Sequence, residues 1–431
     1  MTGVRRQRLA GGLLTITFLT AMAPALWPEA PRWPGGAAAW FAALLMWRDI
    51  PARARRQSVV LVGVGGLAMA PFLVQGTPIP WRQALGANAL LIGMLIAVSF
   101  LRLVSHAGTV DGEVPGGRRA LWRTLLGLHL FSSVINITML FIVGDRLARD
   151  GTLGRRRATV LARGFVLAAY WSPFFAAMAT ALTWAEGARL DLLMALGLPL
   201  AAVGLLLTVW ERPAAADSDF HGYPMNFAGL WVPGLLAALV LTIHQLWPPI
   251  PVLAVIAISA PAISLLLLAI RAGPAAAPAL RHHVESGLPR LLNELLLFIA
   301  AGVLAAGLGV LFANLGGWLP FTAFGPLEAT VVLLVIVAAA VAGIHPVVTI
   351  ATFGTLLAPL EPNPHLLAMS YLAGWAIGLP ISPFSGVGLA LQGRYHVRAG
   401  DIIRWNYPWG LAMMALTVGG FFIMERLSVG H

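Results

Sequence analysis

The chain contains no cysteine and no lysine. Without thiols there is no disulfide, no thiolate metal site and no cysteine nucleophile. Without lysine a Walker-type phosphate loop cannot form, and His-Glu-x-x-His and Gly-x-Ser-x-Gly are absent as well. Charge is scarce, at 10% of 431 residues against about 25% in an average soluble domain. Acidic residues are the scarcer sign, 17 against 28 arginines. Asp217 and Asp219 stand close together, but beside Pro213 and Gly222 they read as a solvated loop with no second acidic motif to face them. The expectation is a protein that is not an enzyme and carries no organic cofactor.

What is abundant is apolar sequence, 59% of the chain, in repeated runs of 17 to 26 residues. About 20 such residues cross a bilayer as a helix. The expected fold is an all-α polytopic membrane protein with about eleven transmembrane helices plus two re-entrant hairpins in inverted repeats. The net charge of +11 would point to nucleic acid in a soluble protein. Here the arginines fall in loops, as the positive-inside rule requires of cytoplasmic loops, so no nucleic-acid partner is expected and the lipid bilayer is. Arginine used to the exclusion of lysine fits a GC-rich bacterial gene, hence a bacterial inner membrane. Arg5, Arg6 and Arg8 before an apolar stretch ending at Ala21-Met22-Ala23 resemble a signal peptide, but Pro24 would follow the cleavage point. An uncleaved first span with a cytoplasmic N-terminus is preferred.

Crossings are expected at 9–27, 35–47, 58–74, 84–103, 158–183, 191–210, 227–246, 250–270, 291–313, 366–391 and 405–425. The stretch 121–144 has basic loops on both sides, so it is read as a hairpin entering from the cytoplasm and returning to it. Residues 325–360, interrupted at Pro346, are read as a second hairpin entering from outside. Only Arg32, Arg82, Arg189 and Arg426 then lie outside. Two full crossings at 325–343 and 347–360 would give the same charge distribution. The division is scaffold 1–119, first repeat core 120–226, scaffold 227–313, second repeat core 314–404 and a last span 405–431.

Two short elements recur in the same order. Gly127-Leu128-His129 returns 216 residues later as Gly343-Ile344-His345, and Ser172-Pro173-Phe174 returns 210 residues later as Ser382-Pro383-Phe384. A weak internal repeat with interrupted apolar segments is the best sequence pointer to a transport site. Proline inside a helix removes a hydrogen bond and frees carbonyls. Half-helix N-termini then attract anions, while carbonyls and hydroxyls hold a cation such as sodium. The candidate substrate-binding residues are Ser132, Ser133, Asn136, Ser172, Pro173, His345, Thr349, Thr352, Ser382, Pro383 and Ser385. The candidate coupling-ion residues are His129, Thr138, Thr355 and Glu294. With the histidines superposed, Ser133 matches Thr349 and Asn136 matches Thr352. Ser and Thr in membrane helices also bond their own backbone or join helices, which is the competing reading for each taken singly. Arg163, Glu294 and Glu328 fall within apolar segments, Arg163 near enough to an end to snorkel.

Through Ser133-Val134-Ile135-Asn136, Thr349 to Thr355, Trp171-Ser172-Pro173 and Ile381-Ser382-Pro383, the chain resembles the ion transporter superfamily, and within it the divalent anion/sodium symporters. Members carry Ser-Asn-Thr triplets at the hairpin tips; neither copy here has one. The resemblance implies an elevator-like transport domain of hairpins and broken helices, moving against a scaffold that often forms a homodimer. The expected function is a secondary active transporter of a small anion, dicarboxylate or oxyanion, coupled to sodium or protons. Neither repeat has a carboxylate between its His and its Ser-Pro-Phe apart from Asp145, Asp150 and Glu361 in loops, which favours an anion over a cation. The rivals are a cation/proton antiporter, and a membrane-embedded enzyme or non-transporting helper subunit. Because the chain is cysteine-free, single-cysteine labelling tests the topology directly. Leu153→Cys and Thr109→Cys should label only from the cytoplasm, and Gly317→Cys only from outside; opposite sides for positions 109 and 153 would make 121–144 an ordinary span.

Overall fold

The structure is a computed structural model that describes residues 3–104, 116–135, 137–148, 150–211, 220–225, 227–315 and 319–429. Among these residues there are helices and no strand, with one isolated bridge between Gly116 and His221. In chain order the helices are α1 (Gly3–Leu26), α2 (Trp33–Leu45), α3 (Ala52–Val74), α4 (Trp81–Gly86) and α5 (Ala89–Ser99). Then come α6 (Gly117–Ile135), α7 (Ile137–Leu147), α8 (Arg155–Val166), α9 (Ala176–Trp184), α10 (Leu190–Trp210) and α11 (Trp231–Leu246). They continue as α12 (Val252–Ala272), α13 (Ala276–His282), α14 (Leu292–Ala313), α15 (Pro326–Val341), α16 (Pro346–Leu357), α17 (Pro364–Ile381), α18 (Gly386–Tyr395) and α19 (Ala399–Val429).

Among the described residues, eight stretches are long and apolar enough to cross a membrane, and the one at Val252–Ala313 contains both α12 and α14. Of the other expected crossings, α2 has only 13 residues and 158–183 is divided between α8 and α9. The protein is an all-α polytopic membrane protein. Two expected loops are helical instead. The stretch 271–290, expected as a basic loop between two crossings, is helical: 3₁₀, α and π turns from Gly273 to Leu291 join α12 to α14 without a break. Arg281 and Arg8 both pair there with Glu285, so the charges sit on a folded elbow. The basic segment 392–404 is likewise mostly the end of α18 and the start of α19.

The chain divides into two compact units. The first comprises Met1–Val104, Leu235–Pro320 and Ala351–Pro359. Its helices approach through small residues, as expected where lipid removes the hydrophobic drive between helices. A Cβ on Gly307 of α14 would run into the backbone of Gly65 on α3, and one on Gly36 of α2 would run into the Leu85 carbonyl. Polar side chains add cross-links: Asn88 Nδ2 donates to the Phe298 carbonyl at 2.7 Å, and Ser99 Oγ meets His283 Nε2 at 3.1 Å.

The second unit comprises Ser105–Gly234, Phe321–Ile350 and Leu360–His431. The same order of elements occurs twice in the chain: hairpin, broken helix, unbroken helix. The first series is α6–α7, α8–α9, α10; the second is α15–α16, α17–α18, α19. That α6–α7 reverses direction follows from its neighbours on α8. Leu125 and Leu128 of α6 flank Gly164, whereas Gly144 of α7 lies against Leu161. The second tip is built by local chemistry. Gly343, with φ +99°, ends α15; its N–H bonds the Ala340 carbonyl at 3.0 Å and the Ile344 N–H bonds the Ala339 carbonyl at 2.9 Å. This is a Schellman turn, and Pro346 then opens α16 at the position where a missing N–H costs nothing. α17 also opens on a proline, Pro364, capped by Asn363 Oδ1, which accepts from the His365 and Leu366 N–H groups.

The first arm of each hairpin runs beside the first half of the broken helix that follows it. The closest approach is at a glycine eight residues before the break serine: Gly164 before Ser172, Gly374 before Ser382. A Cβ on Gly374 would come within 2.6 Å of Ile336 Cγ2 and 2.8 Å of its Cβ, atoms fixed close to the α15 backbone. A Cβ on Gly164 would come within 3.0 Å of the Leu125 and Leu128 methyl groups, which can turn away. Gly374→Ala should therefore lower stability by about 1–3 kcal/mol and Gly164→Ala by clearly less, read as thermal unfolding in detergent.

Candidate functional site

Each Ser-Pro-Phe element sits where its helix breaks. At the first break Ser172 Oγ donates to the Ser133 carbonyl on α6 and accepts the Phe174 N–H at 3.2 Å. At the second, Ser382 Oγ donates to the Ala340 carbonyl on α15 and accepts the Phe384 N–H at 3.2 Å. One hydroxyl thus satisfies a donor freed by the break and ties the break to the hairpin's first arm, twice. Both serines are buried. The bonds equate Ser133 with Ala340. Superposing the histidines, which matched Ser133 to Thr349, does not describe the repeat: His129 lies within α6, while His345 lies at the tip between α15 and α16. The Gly-aliphatic-His likeness is a coincidence of composition, whereas the Ser-Pro-Phe likeness is structural.

The second break is more heavily supported. Ser385 Oγ accepts from the Gly388 N–H at 2.9 Å, capping α18, and donates toward the carbonyls of Leu379 and Ser382 at 2.7 and 2.9 Å. Gln392 Nε2 donates to the Pro383 carbonyl at 2.6 Å. Burial separates the two breaks. Phe174 and Phe175 are each 3% exposed, while Phe384 is 50% exposed and the following Gly386 is exposed too. The N-terminal end of α18 is accessible and that of α9 is closed over.

α18 does not stand alone. A Cβ on Gly386 would lie 3.7 Å from Ile137 Cδ1, the first residue of α7. Eight residues on in each helix, Arg394 Nε and Nη2 grip both oxygens of Asp145 at 2.6 Å, and Tyr395 Oη donates to Asp145 at 3.0 Å. The two half-helices therefore run side by side in the same direction, one from each repeat, with their N-terminal ends together. Positive dipole ends brought together are the kind of arrangement that favours a negative charge. The second tip borders the same place: a Cβ on Gly343 would lie 3.5 Å from the Phe384 ring.

The histidines have different surroundings. His129 Nδ1 lies 3.2 Å from the Gly164 carbonyl and Nε2 accepts from Trp171 Nε1 at 3.0 Å. A carbonyl only accepts and an indole only donates, so the ring is a neutral imidazole with both nitrogens engaged. It braces α6 against the broken helix. His345 Nδ1 accepts from the Val347 N–H at 3.3 Å, and its ring stands edge-on to Trp375 at 5.0 Å.

Of the remaining sequence candidates, Ser133 and Thr349 return their hydroxyls to their own helices, at the Leu130 and Pro346 carbonyls. Ser132 is buried and its Oγ has no hydrogen-bond partner among the described residues. Thr138 lies in the first turn of α7, beside the paired N-termini. Pro173 and Pro383 follow the break serines. Asn136, between α6 and α7, lies outside the described residues, as do Asp217 and Asp219. Thr352, Thr355 and Glu294 belong to the first unit, Thr355 with its hydroxyl on the Ala351 carbonyl. Glu328 Oε2 accepts the Gly325 N–H at 2.8 Å, which makes it a helix cap. No group of three metal-ligating His, Asp or Glu side chains exists among the described residues.

Arg163 does not snorkel. Its side chain is fully buried; Nε donates to Asn406 Oδ1 at 3.0 Å, Nη2 to the Trp405 carbonyl at 2.7 Å and Nη1 to Glu211. The guanidinium also lies 5.3 Å from the Trp409 ring centroid. With Arg155 on Glu211 and Arg156 on the carbonyls of Thr208 and Val209, it closes the C-terminal end of α10. Sequence reasoning used Trp171 only as part of the Trp171-Ser172-Pro173 match and read Asp145 as a loop residue, although it lies in α7; it passed over Gln392, Trp375 and the bonds of Arg394 and Tyr395 to Asp145. Only the glycine eight residues before each Ser-Pro-Phe was there to be found as a pattern.

Comparison with solved structures finds the YdaH transporter of Alcanivorax borkumensis, whose crystal structure was described as revealing an unusual topology. The TM-score is 0.52 at 14% identity, with 87% of this chain and 98% of that chain covered. At that identity the likeness concerns the fold: this chain has the fold of a membrane transporter. No protein-family profile matches the chain, and no curated protein matches it.

The Arg163 cluster gives a test of stability. Glu211→Gln leaves a buried guanidinium without its counter-charge and should cost about 3 kcal/mol. Arg163→Met removes the buried charge and leaves Glu211 with Arg155, so it should cost less. Denaturant or thermal unfolding of the two variants in detergent checks the order.

Proposed function

We propose that the protein is a secondary active transporter of a small anion, of the dicarboxylate or oxyanion class, in a bacterial inner membrane with its N-terminus in the cytoplasm. The observation that carries the reading is the pairing of α7 with α18, which brings two half-helix N-termini to one point with Asp145 held two turns away by Arg394. The accessible second break and the Gly343–His345 tip adjoin that point. In this reading Ser132 and Ser133 on the first hairpin, with His345, Thr349 and the Ser382–Ser385 break of the second series, surround the anion. Ser172 and Pro173, with Ser382 and Pro383, act by shaping the backbone. The two series of elements are inverted repeats of the kind found in the ion transporter superfamily, the hairpins are re-entrant, and the second unit moves in an elevator-like manner in a homodimer.

Sodium is the preferred coupling ion over a proton. Hydroxyls and carbonyls outnumber titrating groups near the breaks, and His129 can take a proton only by giving up its bond from Trp171. Reconstituted in proteoliposomes with an inward sodium gradient, the protein should show saturable uptake of labelled succinate or sulfate. Arg394→Gln combined with Tyr395→Phe, which removes the hydrogen bonds from α18 to Asp145 and Phe141 of α7, should reduce that uptake at least tenfold. Saturable uptake of a cation, with no anion transported or competing, would overturn the anion reading, and equal uptake on a pH gradient without sodium would overturn the coupling.

A further inference from the structure

One stripe of α17 faces the second hairpin. Gly378 packs on Ala340, Ser382 bonds the Ala340 carbonyl and Trp375 meets the His345 ring. Tyr371 continues the stripe, four residues before Trp375 and about 6 Å along the helix axis. Both aromatic residues are buried, Tyr371 at 0% and Trp375 at 3% exposure. Neither Tyr371 Oη nor Trp375 Nε1 has a hydrogen-bond partner among the described residues. A buried donor left unpaired costs about 1–3 kcal/mol, so two of them one turn apart on one face are not explained by packing.

The first repeat shows what quenches such a group. There Trp171 Nε1 donates to His129 Nε2 at 3.0 Å. The second repeat has the same two ring types in contact, His345 and Trp375, but edge-on, with the His345 Nδ1 turned to the Val347 N–H. An indole N–H that is closed in one repeat is open in the other. The open one lies against the hairpin whose tip borders the accessible break.

The geometry points to Tyr371 Oη and Trp375 Nε1 as a donor pair for an oxygen of the transported anion, a carboxylate or oxyanion oxygen entering between α17 and the second hairpin. This rests on the anion reading given above. An acceptor-only group matches an indole, which can only donate, and a phenol, which donates readily to a charged oxygen. A cationic or donor-only ligand would find no partner at the indole N–H.

The test is titration of the purified, detergent-solubilised full-length protein with sodium succinate and sodium sulfate by calorimetry, beside Tyr371→Phe and Trp375→Phe. Unliganded thermal unfolding of all three proteins is measured in parallel. The wild type should bind one probe saturably, each variant about tenfold more weakly. The unliganded Tyr371→Phe protein should unfold at the same or a higher temperature, since no bond within the fold is lost; Trp375→Phe also vacates buried volume and is read by its affinity alone. Wild-type affinity in both variants would overturn the donor pair and leave the anion reading standing. Failure of the wild type to bind either probe would overturn the anion reading and the donor pair with it. A lower unfolding temperature for the unliganded Tyr371→Phe protein would show that the phenol already has a partner within the fold, and would overturn the pair alone.

Discussion

Backbone polar groups in an apolar medium must be satisfied within the protein, and the candidate site depends on how this chain meets that demand at two deliberate interruptions. At each break a proline stops the helix and a serine one residue earlier supplies what the helix no longer does. Its hydroxyl takes the N–H two residues on and gives its own hydrogen to a carbonyl on the neighbouring hairpin arm. The break is therefore a joint between two elements, and its position fixes where the following half-helix begins. Ser385 and Gln392 extend the same principle at the second break.

The two series share their order of elements and their joints, yet they are unequal. The first break is buried and its histidine is engaged on both ring nitrogens. At the second, Phe384 and Gly386 are exposed, and its tryptophan is not engaged at the indole nitrogen among the described residues. Duplicated architecture with unequal chemistry places rigidity in one half and accessibility in the other. Arg163, a charge buried in the first series, strengthens that contrast. It is held by a carboxylate, an amide and a backbone carbonyl, which is the full set of partners a buried guanidinium requires.

The pairing of α7 with α18 crosses between the series. Tyr395 reaches the Phe141 carbonyl at 3.2 Å as well as Asp145, so the second half-helix is fastened to the first hairpin along two turns. Its glycine-rich start, Gly386-Val387-Gly388, leaves the N-terminal end without bulky side chains. A carboxylate at those N-termini would have filled the site from within; Asp145 is instead at the far ends, next to Arg394.

The sequence by itself determined the class of protein. Apolar runs of bilayer length, few charges and arginines confined to segment ends leave an all-α membrane fold as the one way to satisfy the backbone. It also marked both breaks, because Ser-Pro inside an apolar run has a local physical meaning that needs no partner. It misled where meaning depended on partners. His129 and His345 look alike in the sequence, but one is a strut inside an arm and the other sits at a tip. Arg163 reads as a snorkelling residue until Glu211, Asn406 and Trp405 are brought to it from 48, 243 and 242 residues away. The pairing of α7 with α18, and the open indole of Trp375, were decided by tertiary structure alone. Contacts between segments some 250 residues apart depend on how helices pack, and helix periodicity leaves that packing open.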